Sequence, residues 1–307
     1  MQTRAMGPGA GWSWLKRGIN LGAHNPKAIF GAAALLLLIG LIPSVIQLVA
    51  QMAFGLKGAA LLSLVGVVML VSLVVLPPLI GGFLRIIDAS EHGRPIQATA
   101  LFDTYRSGQG AGRMIGFGLA MTVIYIAGFV LLVRLFFGDG FFDWYWQMMN
   151  VATQQASGQI DPKLVPPMPT GFTEHFGLLF LSGVAFVMVI GGMYAIGFGQ
   201  VALASRSVGG ALADGIAGTL KNLLPIVVLL VCAFVLAILL LLGVSLLILV
   251  VGLIGKMVHP MLAVVLALPI YIGMLLALYV VMFGVIYHLW RDVCGGGEPT
   301  RADAVAA

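Results

Sequence analysis

Six long apolar stretches constrain this chain more than any other feature. They cover residues 28–56, 58–84, 114–133, 176–203, 223–255 and 257–290, and none contains Asp, Glu, Lys or Arg. Each reaches the roughly 17 to 25 residues that cross a bilayer, where only helices and closed barrels satisfy every backbone hydrogen bond. Because the stretches lack the alternation of barrel strands, they predict an all-α, polytopic membrane bundle of six transmembrane helices.

The composition excludes a water-soluble globule. The chain is 61% hydrophobic and only 9% charged, whereas a soluble domain has about a quarter of its residues charged. The formal charge of +5 is spread over the loops without a Lys/Arg run, so we expect no nucleic-acid partner. Cys232 and Cys294 form neither a CxxC motif nor a disulfide framework.

The chain is predicted to form a single integral membrane domain over residues 1–307. It comprises a cytoplasmic amphipathic N-terminal segment over 1–27, an external aromatic and Pro-rich loop over 134–175 and a cytoplasmic tail over 291–307. The first apolar stretch exceeds the 7 to 15 residues of a signal-peptide core, so we expect it to remain in the mature protein.

The distribution of Lys and Arg predicts that both termini are cytoplasmic. Of the 16 basic residues, 12 fall on the side of the termini: Arg4, Lys16, Arg17, Lys27, Arg85, Arg94, Arg106, Arg113, Arg206, Lys221, Arg291 and Arg301. The other side holds Lys57, Arg134, Lys163 and Lys256. Cytoplasmic loops carry the excess of basic residues.

Each predicted hairpin of two spans follows a segment that can form a short in-plane amphipathic helix. The predicted apolar faces contain Trp12, Leu15 and Ile19, then Ala98, Leu101, Phe102 and Tyr105, then Val208, Leu212, Ile216 and Leu220. Lys16 and Arg17 share the polar face of the first segment, so both are expected at the anionic leaflet. A weak repeat supports three such units, because Leu15, Gly18, Ile19 and Asn25 recur 197 residues later as Leu212, Gly215, Ile216 and Asn222.

Two motifs carry a family resemblance. One is Trp12-Ser-Trp-Leu-Lys-Arg-Gly18 followed by Asn25-Pro26, and the other is Pro77-Pro78-Leu-Ile-Gly81-Gly82 at the end of the second stretch. The chain resembles a family of uncharacterised proteobacterial multi-pass inner-membrane proteins. The resemblance implies a bacterial inner membrane and transfers no catalytic residue.

Candidate chemical groups inside the spans are few. Pumps and intramembrane enzymes place ionisable side chains there, but the polar candidates are Gln47, Gln51, Gln200, Tyr125, Tyr194, Tyr271 and Tyr279. For Gln200 we favour an interhelical hydrogen bond over a pore contact. His259 and His288 are interpreted as interfacial, and Asp88, Glu91 and His92 as a solvated turn. No catalytic, cofactor-binding or metal-binding residue is predicted, and no cofactor.

Prolines and small residues have two interpretations each. Pro43, Pro77, Pro78, Pro225 and Pro269 mark either ordinary helix kinks, which we favour, or the broken helices of a carrier. The series Gly191, Ala195, Gly199 and Gly112, Gly116, Ala120 are expected to let helices approach closely.

The external loop is dense in aromatic residues. Phe136, Phe137, Phe141, Phe142, Trp144, Tyr145 and Trp146 crowd into eleven positions. We favour an aromatic belt at the membrane interface over a ligand platform. Polar residues at Asp143, Gln147, Asn150 and Gln154 have helical spacing, which predicts an amphipathic helix over 141–155 lying on the external surface.

These observations favour a non-enzymatic membrane protein, either a scaffold or a lipid-handling component of the cell envelope. Its expected partners are membrane lipids, with other membrane proteins or a second copy left open. The alternative is a transporter or channel for an uncharged or apolar solute. A polar cavity at Gln47, Gln51 or Gln200 would favour the alternative, and a side groove open to lipid would favour lipid handling or a partner helix.

The charge distribution makes a testable prediction about topology. Reporter fusions after Gly110, after Gly209 and at the C-terminus should report the cytoplasm, and a fusion near Gly158 should report the external side. An external C-terminus would show that one predicted span is wrong.

Overall fold

The computed structural model describes residues 3–23, 25–138, 140–154, 164–169 and 175–295. Within these residues the fold is all-α and contains no strand. The α-helices are α1 Ala10–Asn20, α2 Pro26–Met52, α3 Gly58–Glu91, α4 Ala111–Phe137, α5 Gly140–Gln154, α6 Phe176–Ala202, α7 Val208–Lys221, α8 Leu223–Val258 and α9 Pro260–Cys294. Two 3₁₀ helices cover Leu21–Ala23 and Ala98–Tyr105.

Six helices, α2, α3, α4, α6, α8 and α9, are long and apolar enough to cross a membrane, which confirms the predicted spans. The protein is therefore a multi-pass membrane protein. With 34, 36 and 35 residues, α3, α8 and α9 are each more than about 50 Å long, against a hydrocarbon core of about 30 Å. α3 and α9 continue past the predicted ends at Leu84 and Trp290, because the charged residues that follow pair with other helices.

Both ends of the described chain meet on one side of the spans, which we call the terminal face. The backbone N–H of Arg4 donates to the carbonyl of Val293 at 2.9 Å, and its guanidinium donates to the carbonyl of Gly295 at 2.6 Å. The largest fully buried side chains gather towards this face: Trp14, Phe83, Phe117, Phe198 and Tyr287. The opposite halves of the spans expose apolar side chains, which the bilayer covers in place of protein.

The spans form three hairpins, α2–α3, α4–α6 and α8–α9, and we call the second helix of each the exit helix. Hydrogen bonds join the exit helices α3, α6 and α9 pairwise near the terminal face. Arg85 donates to the carbonyl of Ala202 (3.1 Å), Tyr287 to Asp88 (3.0 Å) and Trp290 to Gln200 (3.4 Å). The three exit helices thus make a closed triangle at this level.

Each hairpin is preceded by an interface helix: α1, the 3₁₀ helix Ala98–Tyr105, or α7. The 3₁₀ helix packs on α3 and α7 packs on α6, which are the exit helices of the preceding units, and α1 packs on α9 of the last unit. Glycines make the approach close: a Cβ at Gly18 would lie 2.9 Å from the carbonyl oxygen of Val281, and one at Gly215 would lie 2.8 Å from that of Met193. The three units therefore close into a ring.

Side chains at the unit boundaries close the same ring. Each one donates to a backbone carbonyl just before the next interface helix: Asn25 to Ile96 (3.4 Å), Arg113 to Ser205 (2.8 Å) and Asn222 to Arg4 (2.9 Å). Asn25 and Asn222, the repeated pair in the sequence, thus occupy corresponding places. The structure supports three similar units.

The interface helices bury part of the predicted apolar faces, such as Leu15 and Leu101, and expose the rest. Trp12, Ile19, Phe102, Tyr105, Ile216 and Leu220, all assigned to apolar faces, are exposed. The buried faces consist largely of small residues, such as Gly18, Gly215 and Gly218, together with Trp14 and Leu101. Close packing on an exit helix selects small residues, which leaves the large apolar side chains for the lipid. The second interface helix is also a 3₁₀ helix, not an α-helix.

This packing predicts opposite effects for two glycines of α3. A Cβ at Gly82 would overlap the carbonyl oxygen of Leu101, whereas one at Gly66 meets nothing within 4 Å. Gly82→Ala should destabilise the protein by about 1 to 3 kcal/mol, and Gly66→Ala should stabilise it by up to about 1 kcal/mol. Thermal unfolding midpoints in one detergent measure both, and a stabilising Gly82→Ala would contradict the packing.

Candidate functional site

Charged side chains at the ends of α3 and α9 pair with one another. The Tyr287 hydroxyl donates to Asp88 at 3.0 Å, Arg94 forms a close ion pair with the same carboxylate, and Arg291 lies 3.4 Å from Glu91. The predicted solvated turn is wrong for Asp88 and Glu91, because α3 extends through both. The Asp88 and Glu91 carboxylates thus join α3 to α9.

Asp292 attaches the first interface helix to the last span. Its carboxylate accepts hydrogen bonds from Trp14 Nε1 (2.9 Å) and from Arg17 (3.1 Å), and both side chains of the ion pair are largely buried. Arg17 is therefore paired with α9 and does not share a free polar face with Lys16, and the placement of both at the leaflet stays a prediction. Sequence periodicity missed this contact because the partner lies 275 residues away.

Gln200 makes the favoured interhelical contact. It is fully buried, donates to Asp214 on α7 at 2.8 Å and accepts from Trp290 on α9 at 3.4 Å. Arg206 also donates to Asp214, at 3.0 Å. Gln47 and Gln51 are exposed on the outer part of α2. These residues do not line a common polar cavity.

One of the two histidines, His288, differs from its interfacial interpretation. His288 is 1% exposed, with Nε2 3.9 Å from the Glu91 carboxylate, and it is buried between helices. His259 accepts a hydrogen bond from the backbone N–H of Met261, which caps α9. Among the described residues, no three His, Cys, Asp or Glu side chains group as metal ligands.

An apolar groove of about 710 Å³, which we call the lateral groove, lies between the spans near the terminal face. It is lined by α6, α8 and α9, and residues of α1 and α2 line its end at the terminal face. It is lined by Leu15, Ile19, Phe30, Val187, Met188, Gly191, Gly192, Ala195, Ile226, Leu229, Leu230, Ala233, Leu236, Ala237, Leu240, Ala277, Leu278, Val280, Val281, Met282, Val285, Ile286 and Leu289. Every one of these residues is apolar.

The lateral groove opens towards the lipid. Residues along its rim are partly exposed, among them Val187 (60%), Met282 (47%) and Phe30 (38%). Gly191 and Ala195, predicted to bring helices together, line the groove instead, and a Cβ at Gly191 would meet nothing within 4 Å. The series Gly191, Ala195, Gly199 was thus the sequence feature that marked the groove. Its third member, Gly199, does pack closely on Trp290.

The prolines do not interrupt the helices. Pro43, Pro77, Pro78 and Pro269 lie inside continuous α-helices, and Pro225 lies in the first turn of α8. The described spans therefore lack the broken helices by which some carriers bind substrates.

A second cavity, of about 570 Å³, lies at the external loop. Phe136, Phe137, Trp144, Asp143 and His175 contribute to its lining. The predicted helix in this loop is confirmed as α5, and Asp143, Gln147 and Asn150 are exposed on it. Gln154 lies in α5 too, but its side chain and the residues 155–163 lie outside what the structure describes. Its placement on the membrane surface stays a prediction.

A third cavity, of about 520 Å³, lies on the terminal face beside Arg85 and Arg94. Both guanidinium groups have protein partners: Arg85 donates to Gln109 and Ala202, and Arg94 pairs with Asp88. These arginines connect the end of α3 to neighbouring segments.

No family model, curated protein or solved structure matches the chain. The resemblance carried by Trp12 to Gly18 and by Pro77 to Gly82 therefore stays a prediction. Fold and site define a class: a multi-pass α-helical membrane protein with an apolar groove that opens sideways from its bundle.

The ion pairs predict unequal effects for two aspartates. Asp292→Ala removes three hydrogen bonds and the ion pair with Arg17, so it should cost about 2 kcal/mol of stability. Asp103→Ala removes an exposed pair with Arg106 and should cost less than about 1 kcal/mol. Thermal unfolding midpoints in detergent compare the two variants. Equal shifts would show that Asp292 does not hold α1 on α9.

Proposed function

We propose that this chain is a non-enzymatic lipid-binding component of a bacterial inner membrane, with both termini in the cytoplasm. The lateral groove carries the proposal, because it is large, wholly apolar and open between spans. Its volume of about 710 Å³ lies within the roughly 300 to 1,000 Å³ of ligand pockets.

The chemistry of the lining limits what the groove accepts. Small-molecule pockets place a few polar groups to orient the polar parts of a ligand, and the lining of this groove offers no polar side chain. A polar group buried there without a partner would cost several kcal/mol. The part of a ligand inside the groove must therefore be hydrocarbon, which the acyl chains of a bilayer lipid supply.

The length of the groove fits an acyl chain. Along α8 the lining runs from Ile226 to Leu240, which corresponds to about 21 Å at 1.5 Å per residue. One leaflet of the hydrocarbon core is about 15 Å thick, half of about 30 Å. The groove thus spans the depth of one leaflet, beginning near the terminal face where residues of α1 and α2 line it.

The polar groups elsewhere give less support to the rival functions. Gln200 is hydrogen-bonded to Asp214 and Trp290, and Gln47 and Gln51 are exposed on α2, so these residues do not support a pathway for an uncharged polar solute. Transport of an apolar solute stays the alternative. Asp88, Glu91 and Asp292 are engaged with Tyr, Trp and Arg side chains. These pairs support a structural role for the charged residues and a non-enzymatic function.

Two glycines of α6 provide the test. Neither Gly191 nor Gly183 has an atom within 4 Å of an added Cβ, but only Gly191 lines the groove. We expect Gly191→Trp to fill the groove and Gly183→Trp to serve as the matched control on the same helix. Mass spectrometry of phospholipids that remain bound after purification in mild detergent measures the occupancy.

Gly191→Trp should lower the amount of bound phospholipid at least about fivefold, because blocking a site whose binding free energy exceeds about 1 kcal/mol reduces occupancy by about that factor. Gly183→Trp should leave the bound phospholipid at the wild-type amount. Equal retention in the two variants would contradict the proposal. If Gly191→Trp instead releases a co-purifying protein and no lipid, the groove binds a partner helix.

A further inference from the structure

The mouth of the lateral groove lies where α1 and α2 meet. Ile19 on α1 and Phe30 on α2 belong to its lining and are 45% and 38% exposed. The Phe30 ring packs over Gly22, where a Cβ would lie 2.6 Å from the ring. This contact fixes the position of Phe30 beside the end of α1.

A lysine stands one helical turn from each of these two residues. Lys16 precedes Ile19 by three positions on α1, and Lys27 precedes Phe30 by three positions on α2. Residues three apart on a helix are neighbours on its surface. Both lysines are exposed, and each carries its ammonium group on a flexible four-carbon stem.

These lysines differ from the other basic residues of the terminal face. Arg4, Arg17, Arg85, Arg94, Arg106, Arg113, Arg206, Lys221 and Arg291 each have a hydrogen-bond or ion-pair partner. Within the described part of the chain, Lys16 and Lys27 have none. Among the described basic residues of this face, the two without a partner therefore lie one helical turn from residues that line the mouth of the groove.

The surroundings of the mouth contain little compensating negative charge. The sequence has no Asp or Glu before Asp88, so neither α1 nor α2 carries a carboxylate. Asp292, which approaches from α9, is occupied by Arg17 and Trp14. The α2 N-terminus adds the positive end of a helix dipole on the same side.

We infer that the lateral groove selects membrane lipids with an anionic headgroup, whose charge is bound by Lys16 and Lys27 while the acyl chains occupy the groove. The inference rests on the proposed lipid-binding function and adds the class of lipid. A basic residue near an anionic lipid surface contributes about fivefold in binding, equivalent to about 1 kcal/mol. Two lysines therefore predict a preference of between about fivefold and twenty-fivefold.

The test compares two lipids that differ only in the headgroup. The full-length protein is placed in nanodiscs with equal amounts of dioleoyl phosphatidylglycerol and dioleoyl phosphatidylcholine, then extracted in mild detergent, and the retained lipids are quantified by mass spectrometry. Wild-type protein should retain at least about fivefold more phosphatidylglycerol than phosphatidylcholine. The double variant Lys16→Gln/Lys27→Gln should retain both equally, with no fall in the phosphatidylcholine retained.

Lys57→Gln is the matched control. Lys57 is also exposed and has no partner among the described residues, but it lies at the opposite ends of the spans, away from the mouth of the groove. It should keep the wild-type preference. If the double variant does not fold, wild-type protein extracted in about 1 M NaCl replaces it, since the Debye length there is about 3 Å and the preference should fall.

The outcomes separate the two proposals. If the wild-type protein retains lipid without a headgroup preference, the anionic selection is wrong. It is also wrong if the preference persists after the lysine changes and in high salt. Either result is compatible with the lipid-binding function. Retention of no lipid by the wild-type protein overturns the proposed function itself.

Discussion

Close backbone contact at glycines is the interaction on which this structure depends. Gly18, Gly82 and Gly215 let the three interface helices approach backbone carbonyls of adjacent elements at distances that a Cβ would prevent. Lipid tails are as apolar as the helices, so packing and hydrogen bonds must hold a membrane bundle together. Around these contacts the Arg85, Tyr287 and Trp290 bonds close the triangle of exit helices.

The lateral groove follows from the same arrangement. α6 and α8 both pack on α9, and they approach each other near Gly192 and Ile226. Farther from the terminal face, small side chains such as Ala233 and Ala237 line the groove and leave its space unfilled. A bundle that is dense at one end and open at the side exposes hydrocarbon surface that the surrounding lipid covers.

Much of the fold was predictable from the sequence because the bilayer imposes a length and a composition on each span. The six spans, their grouping into hairpins, the short helix α5 and the corresponding roles of Asn25 and Asn222 follow from local patterns. The buried faces of the interface helices did not follow. Periodicity assigned Trp12, Leu15 and Ile19 to one apolar face, but the face that packs on α9 contains Leu15 with Gly18 and Trp14, since close approach favours small residues that a hydropathy pattern ignores.

The sequence by itself determined that the chain crosses a membrane six times, because transfer of apolar surface and satisfaction of backbone hydrogen bonds depend on local composition. Only the tertiary structure decided which charges remain free and where the groove lies. Lys16 and Arg17 are neighbours in sequence, yet Arg17 is bound by Asp292 and Lys16 faces outwards. Both results depend on contacts between residues hundreds of positions apart, which no local pattern records.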